Sequence, residues 1–116
     1  MEQNEFERLV KEAIENLPSF FKKKLENIDV VVEWWPSKEQ SSGQMLLGLY
    51  QGVPKTVRSG GYSMSPPDKI TIFKGPIEYI AGSDLESIKG LVKHTVQHEI
   101  AHHFGISDKK LREIGR

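Results

Sequence analysis

The fold of this chain is decided by one stretch of eleven residues, His98-Glu99-Ile100-Ala101-His102-His103-Phe104-Gly105-Ile106-Ser107-Asp108. His98 and His102 are four residues apart, so on a helix their imidazoles project from the same face, one turn apart. Two imidazoles at this spacing can both reach one Zn²⁺ ion at about 2.0–2.1 Å. Glu99 is rotated by about 100° from His98, which places its carboxylate beside the pair as a base for a water molecule.

A catalytic zinc site has three protein ligands, and the helix itself supplies only two. The third has to come from elsewhere in the chain. Gly105 is expected to end the helix in a left-handed cap, so that the chain turns back and Asp108 can place a carboxylate oxygen on the metal. A last helix that begins at Ser107 or Asp108 offers a rival role, in which Asp108 is a plain N-cap. The resulting pattern, H-E-x-x-H-x-x-G-x-x-D, is far more specific than the five-residue core alone.

The other histidines are expected to have lesser roles. His103 is interpreted as a partly buried histidine or a hydrogen-bond donor near the metal, and not as a ligand. His94 lies two turns from His102, so one ion cannot reach both, and we expect it at the surface. Tyr62, Arg58 and His103 are the candidates for stabilising an oxyanion, and the sequence does not choose among them.

Composition excludes several other kinds of protein. The chain has 116 residues, and its 16 basic side chains balance 16 acidic ones, which argues against a general nucleic-acid binder or a binder of acidic membranes. It has no cysteine, which excludes a disulfide framework, a thiolate metal site and a cysteine nucleophile. Neither a secretory signal nor an apolar run of about 20 residues is visible, so the expected location is cytoplasmic.

Hydrophobic periodicity and turn signals outline the rest of the chain. We predict helices over 4–16, over a short stretch after Pro18, over a turn at 76–81, from Ser83 to about Phe104 and up to Ile114, with strands over 28–35, 45–51 and 70–73. Residues 37–44 are predicted to be a loop, and 52–69 a long connector or a loop that borders a site. The order predicts an α+β fold, one domain over 1–116, with the histidine-bearing helix on a mixed sheet of three or four strands.

Some positions carry more specific expectations. Ser83, with Glu86 three residues later, predicts a capping box at the start of the long helix. Gly90 inside that helix predicts a close packing contact, and Gly48 predicts a bulge or a close approach in the second strand. Trp34 and Trp35 are expected on opposite faces of the first strand, one in the core and one at a rim.

The extended motif resembles the metzincin pattern, with Asp in place of the third histidine. The whole chain resembles the minimal zincin-like metallopeptidases of bacteria, also called the possible-zincin family, and the matching stretches are Leu17-Pro18, Leu47–Pro54, Ile70–Phe73 and His98–Asp108. The resemblance implies a zincin-like fold, zinc ligands at His98, His102 and Asp108, and a catalytic base at Glu99. The chain departs from metzincins because no methionine follows Asp108.

These observations favour a zinc-dependent metallopeptidase that hydrolyses peptide bonds through a metal-activated water, with Glu99 as general base. Its expected partner is a peptide or protein substrate, and neither a nucleic acid nor a membrane. The alternative is a non-catalytic zinc-binding or peptide-binding module with an incomplete cleft. The presence of Glu99 favours the enzyme, because a structural zinc site has no need of a glutamate there and fills its four positions with protein ligands.

Overall fold

The computed structural model describes residues 1–52, 57–58, 62–63 and 67–114. Its helices are α1 (Gln3–Glu15), α2 (Ser19–Lys24), α3 (Lys38–Ser41), α4 (Lys74–Ala81), α5 (Leu85–Phe104) and α6 (Asp108–Ile114), with a short 3₁₀ turn at Leu25–Asn27. Its strands are β1 (Ile28–Glu33), β2 (Gly48–Gln51), β3 (Val57–Arg58), β4 (Tyr62–Ser63) and β5 (Asp68–Phe73). The predicted α+β fold is confirmed.

Strand β5 is the centre of a mixed three-stranded sheet, in the order β1-β5-β2. Strand β1 runs parallel to it, from the pair Ile28 and Asp68 to the pair Glu33 and Phe73. Strand β2 runs antiparallel on the other side, where Tyr50 lies opposite Ile70. Strands β3 and β4 form a separate antiparallel ribbon. The predicted mixed sheet is therefore confirmed, with β2 as one of its two edges.

The long helix α5 is fixed to the rest of the fold along one side. It contacts α1, α4, β2 and β5. The core is built from apolar side chains that these elements bury together: Phe6, Leu9, Val10 and Ala13 of α1, Ile70 and Ile72 of β5, and Ile88, Val92, Val96 and Ile100 of α5. Burial of this stripe leaves the opposite side of α5 facing solvent, where His94, His98 and His102 lie.

The two ends of α5 were predicted with different success. At the C-terminal end, Gly105 has the expected left-handed conformation with φ 67°, and the Ile106 amide folds back to donate to the Ala101 carbonyl at 2.8 Å. At the N-terminal end the predicted cap at Ser83 is wrong by one residue. Asp84 is the cap, because its carboxylate accepts hydrogen bonds from both the amide and the hydroxyl of Ser87.

The two glycines singled out by the sequence behave differently. A Cβ atom at Gly48 would lie 2.6 Å from Thr95 Cγ2 and 3.2 Å from the Thr71 carbonyl oxygen, so the expected close approach is confirmed. A Cβ atom at Gly90 would meet no heavy atom within 4 Å. The predicted packing contact at Gly90 is therefore wrong.

The tryptophans lie beyond the first strand, so the prediction that they occupy opposite faces of it is wrong. Strand β1 ends at Glu33, because its partner β5 ends opposite at Phe73 and the chain then turns into α4. Trp34 and Trp35 remain 56% and 47% exposed, with their rings edge to face. Neither tryptophan belongs to the core.

The stretch predicted as a loop over 37–44 contains the short helix α3. It forms because Ser37 and Gln40 make a reciprocal capping box, which satisfies the first free amides of the helix. Within the described ranges, no helix combines the length and the apolar character needed to cross a membrane.

Candidate active site

His98 and His102, the histidine pair, lie on the exposed side of α5 close to its C-terminal end. Their ring centroids are 4.3 Å apart and the rings are tilted by 48°. In the described part of the chain neither imidazole takes part in a hydrogen bond or an ion pair. The helix thus brings both side chains together, and their ring nitrogens remain available to a ligand.

Glu99 lies on the neighbouring stripe of α5 and is attached to the sheet. Its Oε1 atom accepts a hydrogen bond of 2.9 Å from the backbone amide of Tyr50. The register explains why this amide is available. Phe73 donates to the Leu47 carbonyl, and in an antiparallel pair hydrogen-bonded positions alternate, so the Tyr50 amide points away from β5 toward the open edge. The carboxylate of Glu99 occupies this edge position.

Tyr50 is itself held by a second contact with the same helix. Its ring stacks on the imidazole of His103, with centroids 3.8 Å apart and planes 14° from parallel, while Phe104 meets it edge to face. The Tyr50 hydroxyl donates to Asp68 Oδ2 at 2.7 Å, and His103 Nε2 lies 4.0 Å from the same oxygen. These contacts fasten the end of α5 to strands β2 and β5.

The environment of the Tyr50 hydroxyl favours its neutral form. Burial is the largest cause and raises the pKa of Tyr50 well above its ordinary value. The hydrogen bond to Asp68 and the negative charge of that carboxylate raise the pKa further. Tyr50 therefore remains a hydrogen-bond donor throughout the neutral and moderately alkaline range.

Asp108 is the first residue of α6. The N-cap position, which was the alternative role expected for Asp108, is held by its neighbour Ser107. Ser107 Oγ accepts the amide of Lys110 at 3.1 Å, and the Ser107 carbonyl accepts the amide of Leu111, so Ser107 is the N-cap. The Asp108 carboxylate is exposed and makes no hydrogen bond or ion pair with the described residues. It is thus uncommitted to any other structural role.

The donor set fits zinc chemically, since two imidazoles and a carboxylate are nitrogen and oxygen ligands of the kind that zinc accepts. The structure brings two of these donors together. Among residues 1–52 and 67–114 and the short strands between them, no three His, Cys, Asp or Glu side chains are grouped closely enough to hold a metal ion. Asp108 is therefore adjacent in sequence to the histidine pair but not gathered with it.

The remaining candidates are placed only in part. His94 is exposed, as expected, and its ring stacks on that of His98 with centroids 6.0 Å apart. His103 is 38% exposed in its side chain and engaged by Tyr50 and Asp68. The backbones of Arg58 and Tyr62 belong to the β3–β4 ribbon, and their side chains lie outside the described part of the chain.

The sequence did not indicate the roles of Tyr50 and Asp68. These two residues join the end of α5 to strands β2 and β5. Tyr50 is 49 positions from Glu99, and their contact depends on which amides of β2 point toward the open edge. That direction follows from the register with β5, which no local pattern in the sequence specifies. The strand itself was predicted, and only the contact was not.

The fold and this motif agree with the comparison to known families. A family model described as zincin-like metallopeptidase matches residues 25–116. The chain therefore belongs to the zincin-like metallopeptidase family, and the resemblance inferred from the motif is confirmed. No curated protein matches the chain. Membership supports a metallopeptidase type of function and implies zinc binding.

Proposed function

We propose that the chain is a zinc-dependent peptidase, in which His98, His102 and Asp108 hold the metal and Glu99 is the general base. One observation carries the proposal. An exposed pair of imidazoles with ring centroids 4.3 Å apart lies beside a carboxylate that the Tyr50 amide fixes at 2.9 Å. A purely structural use of the histidines would not require a positioned carboxylate one residue away.

The two oxygens of Glu99 have different surroundings, which suits a base. Oε1 accepts the Tyr50 amide, while Oε2 has no hydrogen-bond partner among the described residues. The first contact fixes the orientation of the carboxylate, and the second oxygen is available to take a proton. Glu99 is partly buried, so its position is restricted while water still reaches it.

A bound zinc ion would polarise the peptide carbonyl and make water easier to deprotonate. Glu99 Oε2 would take a proton from the attacking water as the new C–O bond forms. Glu99 would then pass this proton to the amide nitrogen as the C–N bond breaks, so that an amine and a carboxylic acid leave, and the acid ionises in water. The amide of Tyr50 would keep the carboxylate in place through both transfers.

Asp108 completes the donor set in this proposal. Its carboxylate is not grouped with the histidine pair, so Asp108 has to move toward the pair to become a ligand. The connection is short, since only Gly105, Ile106 and Ser107 separate it from the end of α5. The absence of a competing hydrogen bond at Asp108 within the described residues supports this role.

The test compares the native chain with Glu99→Gln, which keeps the shape of the side chain and removes its basicity. We expect one zinc per chain in both proteins by elemental analysis. Cleavage of a quenched fluorescent peptide library should be about 10²- to 10⁴-fold slower in the variant, which is the usual contribution of a general base. Glu86→Gln, an exposed position near the start of the same helix, is the matched control and should cleave normally.

The possible results separate the two functions considered. Stoichiometric zinc without cleavage in the native chain would identify a non-catalytic zinc-binding module. Cleavage that survives Glu99→Gln would contradict the assigned base. A native chain that binds no zinc would contradict the peptidase and the module together.

A further inference from the structure

A cleft of about 540 Å³ lies beside the exposed side of α5, on the N-terminal side of the histidine pair. One wall is the corner between α1 and α2, at residues 16–18. The other wall is α5 itself, through Gly90, Lys93, His94 and Gln97. We call it the α5 cleft.

The α5 cleft adjoins the proposed metal site through His94. His94 lines it, and the His94 ring stacks on that of His98 with centroids 6.0 Å apart and planes 15° from parallel. One turn of helix is about 5.4 Å, and one residue of an extended peptide spans about 3.3 Å. A substrate at the metal would thus place a group one or two residues from the scissile bond in this cleft.

The only formally charged side chain in the described lining of the α5 cleft is basic. Among the described residues, Lys93 lines the α5 cleft and no acidic side chain does. Lys93 is partly buried, and among the described residues it forms no ion pair or hydrogen bond. Lys89, one turn earlier on the same helix, is paired with Glu12 and Glu86 at 3.5 and 3.6 Å. An ammonium group that has no counter-ion among the described residues can form a charge-assisted hydrogen bond with an anionic ligand.

Gly90 gives a second, independent indication. Glycine in the middle of a helix costs about 1 kcal/mol relative to alanine, and packing does not account for it here, since an added Cβ would meet nothing within 4 Å. Gly90 lines the α5 cleft. Its missing side chain leaves more room at this wall of the cleft at the expense of helix stability.

We propose that the α5 cleft is a substrate subsite that binds a carboxylate of the peptide, with Lys93 as the countercharge. The inference rests on the proposed peptidase function, because it places the cleft relative to the scissile bond. Two sources offer the same chemistry, an acidic side chain near the scissile bond and the C-terminal carboxylate of the peptide. The amide of Gln97 provides a further hydrogen-bond donor for either of them.

The experiment measures binding without cleavage, so it does not depend on activity. Fluorescein-labelled alanine hexapeptides carry one Glu or one Gln at each position in turn, with either a free or an amidated C-terminus. Their affinity for the zinc-loaded Glu99→Gln chain is read by fluorescence anisotropy. We expect at least one Glu peptide to bind about tenfold more tightly than its Gln partner, as a charge-assisted hydrogen bond provides. A preference for the free C-terminus would instead assign the terminal carboxylate.

Four substitutions in the same background, one of them a control outside the cleft, test whether the preference depends on the cleft. Lys93→Met should abolish it and Lys93→Arg should keep it, while Lys38→Met, at an exposed lysine of α3, should leave it unchanged. Gly90→Ala should raise the melting temperature and yet weaken binding of the preferred peptide. A glycine with a purely structural role would not combine these two changes.

The inference is overturned if every Glu and Gln pair binds equally and the two C-terminal forms do not differ. It is also overturned if the preference survives Lys93→Met, or if no peptide binds. Failure of the proposed function looks different: the native chain would not cleave, while the Lys93-dependent preference would persist. Cleavage without any carboxylate preference would leave the peptidase standing and remove the subsite.

Discussion

Two neighbouring pairs on α5 have the same spacing and opposite surroundings. His98 and His102 face solvent. Within the described residues they form no hydrogen bond or ion pair, and their ring contacts are with other histidines. Glu99 and His103, the strand-facing pair, are both attached to Tyr50, one through its amide and one through its ring. A rotation of about 100° around the helix separates the two environments.

The difference shows which part of the candidate site the fold itself holds in place. Glu99, the proposed base, is oriented by the fold, because its partner is a backbone amide in a paired strand. His98 and His102, the proposed metal donors, are held at their spacing by the helix alone within the described residues. Substitutions in the two pairs should therefore have separable consequences, on zinc binding for one and on stability for the other.

The largest expected effect separates two adjacent histidines. His102→Ala should abolish stoichiometric zinc binding and change the free energy of unfolding of the metal-free chain by less than about 0.5 kcal/mol, as exposed positions usually do. His103→Ala should keep zinc and lower the free energy of unfolding by about 1 kcal/mol, because it removes the ring stacked on Tyr50. Elemental analysis and urea denaturation measure the two quantities. Equal zinc loss in both variants would break the comparison.

The next effect tests the contact that brings β2 against α5. Gly48→Ala would place a methyl group 2.6 Å from Thr95 Cγ2, and Thr95 is held in place by its hydrogen bond to the Leu91 carbonyl. We expect the free energy of unfolding to fall by about 1–3 kcal/mol, as overpacking does. The amide chemical shift of Tyr50, two residues later, should change as well. Gly90→Ala is the matched control and should be stabilising.

The smallest effect concerns the Tyr50 hydroxyl and has a pH signature. Tyr50→Phe keeps the stacked ring and loses the hydrogen bond to Asp68, so the free energy of unfolding at pH 7 should fall by about 1 kcal/mol. The folded chain raises the pKa of Tyr50, while the unfolded tyrosine ionises near its ordinary value of about 10. The stability that this hydroxyl contributes is therefore complete below pH 10 and is lost as the pH rises above it.

Denaturation at pH 7 and at pH 11 checks this sign. The difference between the native chain and Tyr50→Phe should be smaller at the higher pH. Tyr79→Phe, at a side chain that is 75% exposed, should show neither the loss at pH 7 nor the pH dependence. A difference that grows with pH would mean that the hydroxyl ionises more readily in the folded chain.

The predictable part of this molecule is the part that helical geometry determines. The spacing of His98 and His102 fixes a shared face, and Gly105 supplies the left-handed residue that ends α5. Neither requires knowledge of the rest of the fold. The C-terminal end of the long helix and the histidine pair could therefore be placed from residues 98–105 alone.

Other features depend on competition or on distant partners. Ser83 and Asp84 are both good caps, and Asp84 prevails because Ser87 offers it two hydrogen-bond donors. The β propensity of Trp34 and Trp35 suggested a longer strand, yet a strand needs a neighbour and β5 ends at Phe73. The contact of Glu99 with Tyr50 likewise depends on sheet register.

The outward-pointing amide of Tyr50 has a consequence for how motion in this protein can be followed. A typical strand amide is protected from deuterium exchange by its neighbouring strand, but this one is protected by a side chain of α5. Its exchange rate therefore reports separation of the helix from the sheet edge, while the amides that face β5 report opening of the sheet itself. The exchange rate of this single amide proton therefore reports how often Glu99 leaves its position at the sheet edge.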